Sequence, residues 1–221
     1  MRLRCRKPMT DYRSDRKHDA LAWALPVLAW TIAWGVTGAA LYISGVINSP
    51  RTGPLWVALA GGAISWSIAG AFTFRAVGHD SANRWNIAGF LIWALAYFVS
   101  FALAGFTGRA LDDTLGGFFF MLLGWSIGPG LGAFASTWLL TDHSSLRRSG
   151  IVAGIWLLGF FAGSYIGFVG GYMGLLIGSV IGIPAAFILG FGLGCAAGGL
   201  VASVITVALS RLMARFIQVI L

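Results

Sequence analysis

The sequence predicts an all-α fold: a polytopic integral membrane helix bundle of six transmembrane helices, arranged as three tandem glycine-rich hairpin repeats. Three observations predict it. The 221-residue chain is 58% hydrophobic and only 10% charged, whereas a soluble domain carries about 25% charged residues. Six apolar runs alternate with short polar breaks, and each is long enough to cross a bilayer, which takes about 20 apolar residues. Finally, Trp30, Ala33 and Trp34 recur as Trp93, Ala96 and Tyr97, and again as Trp156, Gly159 and Phe160, 63 residues apart each time.

Residues 1–19 form a basic cytoplasmic tail, expected to be partly disordered. Seven of the fifteen cations lie in it: Arg2, Arg4, Arg6, Lys7, Arg13, Arg16 and Lys17. A net charge of +8 can signal nucleic acid, but the remaining cations sit between apolar runs, the distribution of the positive-inside rule. Nucleic acid is therefore excluded as a partner. The tail can also touch anionic headgroups, at about 1 kcal/mol per cation near the surface. The apolar run that follows exceeds the 7–15 residues of a signal core, so it is read as a retained first helix.

The apolar runs fall near 20–47, 54–76, 85–107, 114–140, 150–178 and 183–210, making 20–210 one transmembrane domain with a short C-terminal end at 211–221. Pro50, Gly53 and Pro54 mark the first break as a turn. Loop cations set the topology. Arg75, Arg84, Arg147 and Arg148 join the tail on the inner side, against Arg51 and Arg109 outside, so both termini are placed in the cytoplasm. The stretch 150–210 carries no charge. It divides into two long helices at Gly182, Ile183 and Pro184, where proline disfavours helix continuation, with three short helices or a re-entrant segment at Gly170 and Gly171 as alternatives.

The even-numbered runs carry Trp66, Trp125 and Phe191, spaced 59 and 66 residues. Together the two series define hairpins at 20–76, 85–140 and 150–210, all in one orientation, as in parallel-repeat membrane proteins. A pseudo-threefold ring is the natural arrangement; the repeat leaves open whether its axis is a pore or packed solid. Glycines supply the packing logic. Gly124, Gly128 and Gly132 map by a 66-residue shift onto Gly190, Gly194 and Gly198. Gly159, Gly163, Gly167 and Gly171 form an every-fourth row, with Gly170, Gly174, Gly178 and Gly182 offset from it. Small residues at this spacing let helix backbones approach closely. Trp23, Trp56, Trp85 and Trp138 fit an interfacial belt.

Arg75 lies at the end of its run and no other Asp, Lys, Arg or His falls inside an apolar run, which argues against a proton relay or an ion-coupling carboxylate. Paired axial histidines for haem and a Cys/His cluster for zinc are lacking too. Cys5 and Cys195 lie at different depths, so they form no disulfide. No catalytic, cofactor or metal site is therefore assigned. Polar groups in the spans are hydroxyls, of which Ser67 and Ser126 each follow a repeated Trp and form a candidate polar lining of one axis; Gly192 replaces them in the third copy. Interfacial candidates are the pairs His79 with Asp80 and Asp142 with His143, and outside them Asp112 with Asp113.

Three tandem two-helix hairpins look superficially like the plan of mitochondrial carriers. Those repeats are nearer a hundred residues and carry a PxDxxK-type signature, absent after Pro26, so that function is not carried over. Gly128, Pro129, Gly130, Leu131 and Gly132 resemble glycine-proline segments in the six-helix substrate-binding subunits of vitamin uptake transporters. Over these five residues, the resemblance implies a substrate-binding subunit as an alternative.

The reading is a non-enzymatic, multi-pass scaffold or assembly component, without cofactor, in a bacterial plasma membrane. Its partners are the lipid bilayer and a second copy or another membrane protein. The alternative is a transporter, channel or substrate-binding subunit for a small neutral or hydrophobic solute. A single cysteine introduced at position 213 should react only with reagents that reach the cytoplasmic side; external labelling would sink the six-span topology.

Overall fold

The computed structural model of the chain describes residues 11–46, 54–77, 82–110, 115–140 and 145–220. These form six helices: α1 (Asp11–Ile43), α2 (Leu55–Val77), α3 (Ala82–Ala110), α4 (Leu115–Leu140), α5 (Leu146–Ile181) and α6 (Pro184–Ile220). All six are long and apolar enough to cross a membrane, so the chain is an integral membrane protein built as a six-helix bundle. Each helix packs on its neighbours in chain order, and α6 closes the ring onto α1.

The faces are sorted as lipid requires. On α1, Leu28, Ile32 and Val36 are exposed while Trp30, Ala33, Trp34 and Thr37 are buried, which divides the helix at its own period. Large aliphatic side chains face outward, and Gly, Ala, Ser and the repeated aromatics face inward.

Boundaries differ from expectation at both ends. Helix α1 begins at Asp11, nine residues before position 20, so residues 11–19 are helical rather than disordered. Residues 11–19 contain neither Gly nor Pro, and extending a nucleated helix adds one hydrogen bond per residue. Helix α1 ends at Ile43 rather than 47, where Gly45 turns the chain at φ 67°. Helix α3 gains residues at both ends, and α6 runs through to Ile220, past the expected end at 210. The stretch 150–210 is two helices. Helix α5 runs unbroken through Gly170 and Gly171 and ends at Gly182, whose left-handed φ of 74° caps it by an N–H to Gly178 O. That conformation suits glycine, and Pro184 opens α6 where its missing N–H is harmless. At the other end Ser145 caps α5, accepting from the Arg148 N–H at 3.2 Å.

The glycines meet neighbours in two ways. Some let helix backbones touch. A Cβ on Gly128 would strike the Ala96 carbonyl and Ser100 hydroxyl of α3, and Gly124 lies against Ala104. Between α5 and α6, Gly163 abuts Ala202 and Gly198, Gly174 abuts Gly190, and Gly170 lies 3.1 Å from Gly194 by the same measure; Gly159 faces Thr206. Others seat an aromatic ring. Gly70 and Gly132 lie under Trp93, Gly62 under Tyr97, Gly167 and Gly199 under Trp34, and Gly171 under Phe191. Gly154 meets nothing within 4 Å. Gly128→Leu and Gly163→Leu should therefore abolish a monodisperse peak on gel filtration in detergent, while Gly154→Ala should elute as wild type; equal behaviour of all three would show that the close approaches are dispensable.

Candidate functional site

The axis of the ring is filled by aromatic rings. Trp30, Trp93 and Trp156, one from each odd-numbered helix, form a triangle with centroid separations of 5.0, 5.0 and 5.5 Å. One turn further along the same helices lie Trp34, Tyr97 and Phe160. Trp66 enters from α2 and touches Trp30 at 5.7 Å, Tyr97 at 5.3 Å, Phe160 at 6.0 Å and Trp125 at 6.2 Å. Phe191 lies apart, near Tyr42 at 6.3 Å. Edge-to-face and tilted pairs are each worth about 0.5–1.5 kcal/mol beyond their buried area.

Most polar groups around this cluster are paired inside the protein. The Trp30 indole donates to Thr73 Oγ1 at 2.9 Å, and the Tyr97 hydroxyl to Ala58 O at 2.7 Å. Ser67 and Ser126 are both fully buried. The Ser67 hydroxyl donates across to Phe90 O of α3 at 2.9 Å, and that of Ser126 back to Leu122 O at 2.7 Å. Each serine thus has a backbone acceptor of its own.

One arrangement was readable from sequence but missed. Pro129 lies inside α4, so the Trp125 carbonyl four residues earlier has no helical donor. The Ser100 hydroxyl of α3 supplies it, at 2.9 Å, and Gly128 allows α3 close enough to reach. The signal was the proline itself, which implies a vacant carbonyl one turn back. The Trp30–Thr73 bond, by contrast, links residues 43 apart with no local cue.

Among the described residues, six buried side-chain groups have no partner within the protein: the indole nitrogens of Trp34, Trp66 and Trp93, and the hydroxyls of Ser136, Ser149 and Ser164. At one end of the bundle Arg147 and Arg148 are exposed, and the Arg211 guanidinium lies 5.3 Å over the Trp23 ring. An open apolar groove of about 380 Å³ runs between α4 and α5, lined by Phe118, Phe168, Val169, Tyr172, Met173 and Leu176. His79, Asp80, Asp112, Asp113, Asp142 and His143 lie outside the described residues, among which no cluster of three His, Cys, Asp or Glu occurs.

Comparison with models of known protein families, with curated protein sequences and with solved structures finds no match to this chain.

Two measurements test the site's construction. Trp93→Ala should cost about 3–5 kcal/mol of stability through the cavity it leaves, whereas Trp56→Ala, 68% exposed, should change the unfolding midpoint little. Ser100→Ala should cost about 1–2 kcal/mol, and most of this should return in Ser100→Ala/Pro129→Ala, where residue 129 regains its N–H; equal losses in the single and double variants would refute the carbonyl assignment.

Proposed function

We propose that the chain is a non-enzymatic scaffold or assembly component of a bacterial plasma membrane, with both termini cytoplasmic and built from three tandem hairpin repeats. One observation carries this reading. Trp30, Trp93 and Trp156 fill the axis where a conduit would need an opening, and Ser67 and Ser126 each bond to a backbone carbonyl. A solute therefore finds no lining there. The surface left for function is the exterior, which includes the aromatic groove between α4 and α5. The meeting of three residues spaced 63 apart supports the repeat. The exposed Arg147 and Arg148 and the Arg211–Trp23 contact support a basic, cytoplasmic end.

The competing reading, a transporter, channel or substrate-binding subunit, makes an opposite prediction about flux. Purified protein in liposomes should leave glycerol and urea permeability at the level of protein-free vesicles in stopped-flow light scattering; saturable, protein-dependent flux would replace the scaffold reading. Photo-crosslinking residues at positions 118 and 172 should give protein adducts of defined mass in native membranes, while those at 28 and 32 give lipid adducts. Lipid adducts at all four positions would count against a scaffold.

A further inference from the structure

Of the three links that close the hairpins, the third differs in kind. In the sequence, the link from α1 to α2 holds Asn48, Ser49, Arg51 and Thr52, and that from α3 to α4 holds Arg109, Asp112 and Asp113. Links that reach water are polar in this way. The α5–α6 turn has no charge, and none occurs anywhere from 149 to 210. Residues 179–185 are exposed without a break, Val180 by 87%. Ser179 carries the one polar side chain among them, and its hydroxyl donates back to Leu176 O at 2.7 Å. The turn thus offers water an aliphatic surface with its single hydroxyl already engaged.

Helix length points the same way. The membrane-crossing stretches of α5 and α6 have 36 and 30 residues, against 19–24 in the other four helices. At 1.5 Å per residue the α6 stretch measures about 45 Å. That matches a bilayer with its headgroup regions, about 40–45 Å, rather than the hydrocarbon core of about 30 Å. Arg211 and Trp23 mark one interface, the guanidinium lying over the indole, as suits a basic and an aromatic residue at that depth. From there Val204, Leu200, Ala197, Leu193 and Leu189 form an exposed stripe along α6 toward the turn, at the three- and four-residue steps of one helix face. The stripe faces lipid as Leu28 and Ile32 do on α1, and its apolar character continues without change into the turn.

Backbone groups fix the depth. The Gly182 N–H donates to Gly178 O and the Ala186 N–H to Ile183 O, but two helix ends leave further backbone groups over. Hydrocarbon satisfies none of them, whereas lipid ester groups and the water among them do. We propose that the α5–α6 turn docks into the membrane itself. Val180, Ile181 and Ile183 insert among acyl chains, the backbone of the turn lies at the level of the lipid esters, and this hairpin has no loop in water. The partner is the lipid of the leaflet away from Arg211, engaged by apolar contact rather than by charge. The aromatic groove is lined by α4 and α5 alone, so this inference does not rest on the scaffold reading.

Nitroxide labels report the depth. Val180→Cys, Leu28→Cys and Thr52→Cys, each in a Cys5→Ser/Cys195→Ala background, are spin-labelled and reconstituted in liposomes. Power saturation then compares relaxation by oxygen, which partitions into lipid, with relaxation by a water-soluble nickel chelate. The label at 180 should respond to oxygen more than to nickel, as the one at 28 does, while the label at 52 responds chiefly to nickel. A nickel-dominated response at 180 would place the turn in water and overturn the proposal. Weak response to both reagents would show the turn covered by protein, a second copy or another partner, and would overturn it equally. The unmodified chain supplies a second measurement. A photoactivated diazirine carried on a phospholipid acyl chain should leave adducts in the peptide spanning 176–188. Their absence there, with adducts present on the exposed face of α1 at 28–36, would refute the docking without recourse to any variant.

Discussion

A ring of six helices leaves a hole on its own axis, and the contact of Trp30, Trp93 and Trp156 that fills it is what the rest of the structure depends on. Interaxial distances of about 8–10 Å make the centre of a regular six-membered ring roughly as wide as another helix. Lipid provides little hydrophobic drive to close such a gap. It closes through dispersion and through the edge-to-face preference of aromatic rings, both of which demand tight fit. That demand explains why the glycines do two jobs. Some bring the helices of a hairpin together, and others leave recesses into which Trp34, Trp93, Tyr97 and Phe191 fit.

Hydrogen bonding obeys a similar constraint. Water cannot satisfy a carbonyl or hydroxyl in the bilayer core, so each must be answered within the protein. Pro129 breaks this rule locally, and Ser100 repairs it from the neighbouring helix. The repair works only because Gly128 brings α3 and α4 into contact, so three adjacent features of different chemistry form one joint. Among the described residues, the indole nitrogens of Trp34, Trp66 and Trp93 and the hydroxyls of Ser136, Ser149 and Ser164 are buried without such an answer.

Helices α5 and α6 depart from the other four. Helix α5 has 36 residues, about 54 Å at 1.5 Å per residue, well beyond a hydrocarbon core of about 30 Å. Helix α4 begins at Leu115, and Phe118 in its first turn already meets Phe168 at 5.2 Å. The final 13 residues of α5, from Val169 to Ile181, therefore run on past the start of α4, leaving Tyr172, Met173, Leu176 and Ile177 exposed. The groove beside Phe118 is a direct result of that mismatch in length. Phe191 follows the same departure: it packs near Tyr42 rather than joining Trp66 and Trp125.

Sequence by itself pointed to a bundle of about six helices and to the faces that are small, while the division of 150–210 into two helices rather than three was open until the structure. Apolar length and the spacing of glycines are local properties that survive without knowledge of the partner helix. It also singled out Trp30, Trp93 and Trp156 as related positions, because their 63-residue spacing is visible in one dimension. Helix ends at Asp11 and Ile220 lie beyond the expected ones: the polar residues 11–19 extend a helix without altering the apolar pattern, and Arg211, Arg215 and Gln218 interrupt an apolar run that stays helical. Only the tertiary structure decided that the axis is filled, that Ser67 and Ser126 are each occupied by a backbone carbonyl, and that Ser164 is not. Those outcomes depend on how far each helix slides and turns against the next, and a periodic sequence fixes the face of a helix but not its height against a neighbour.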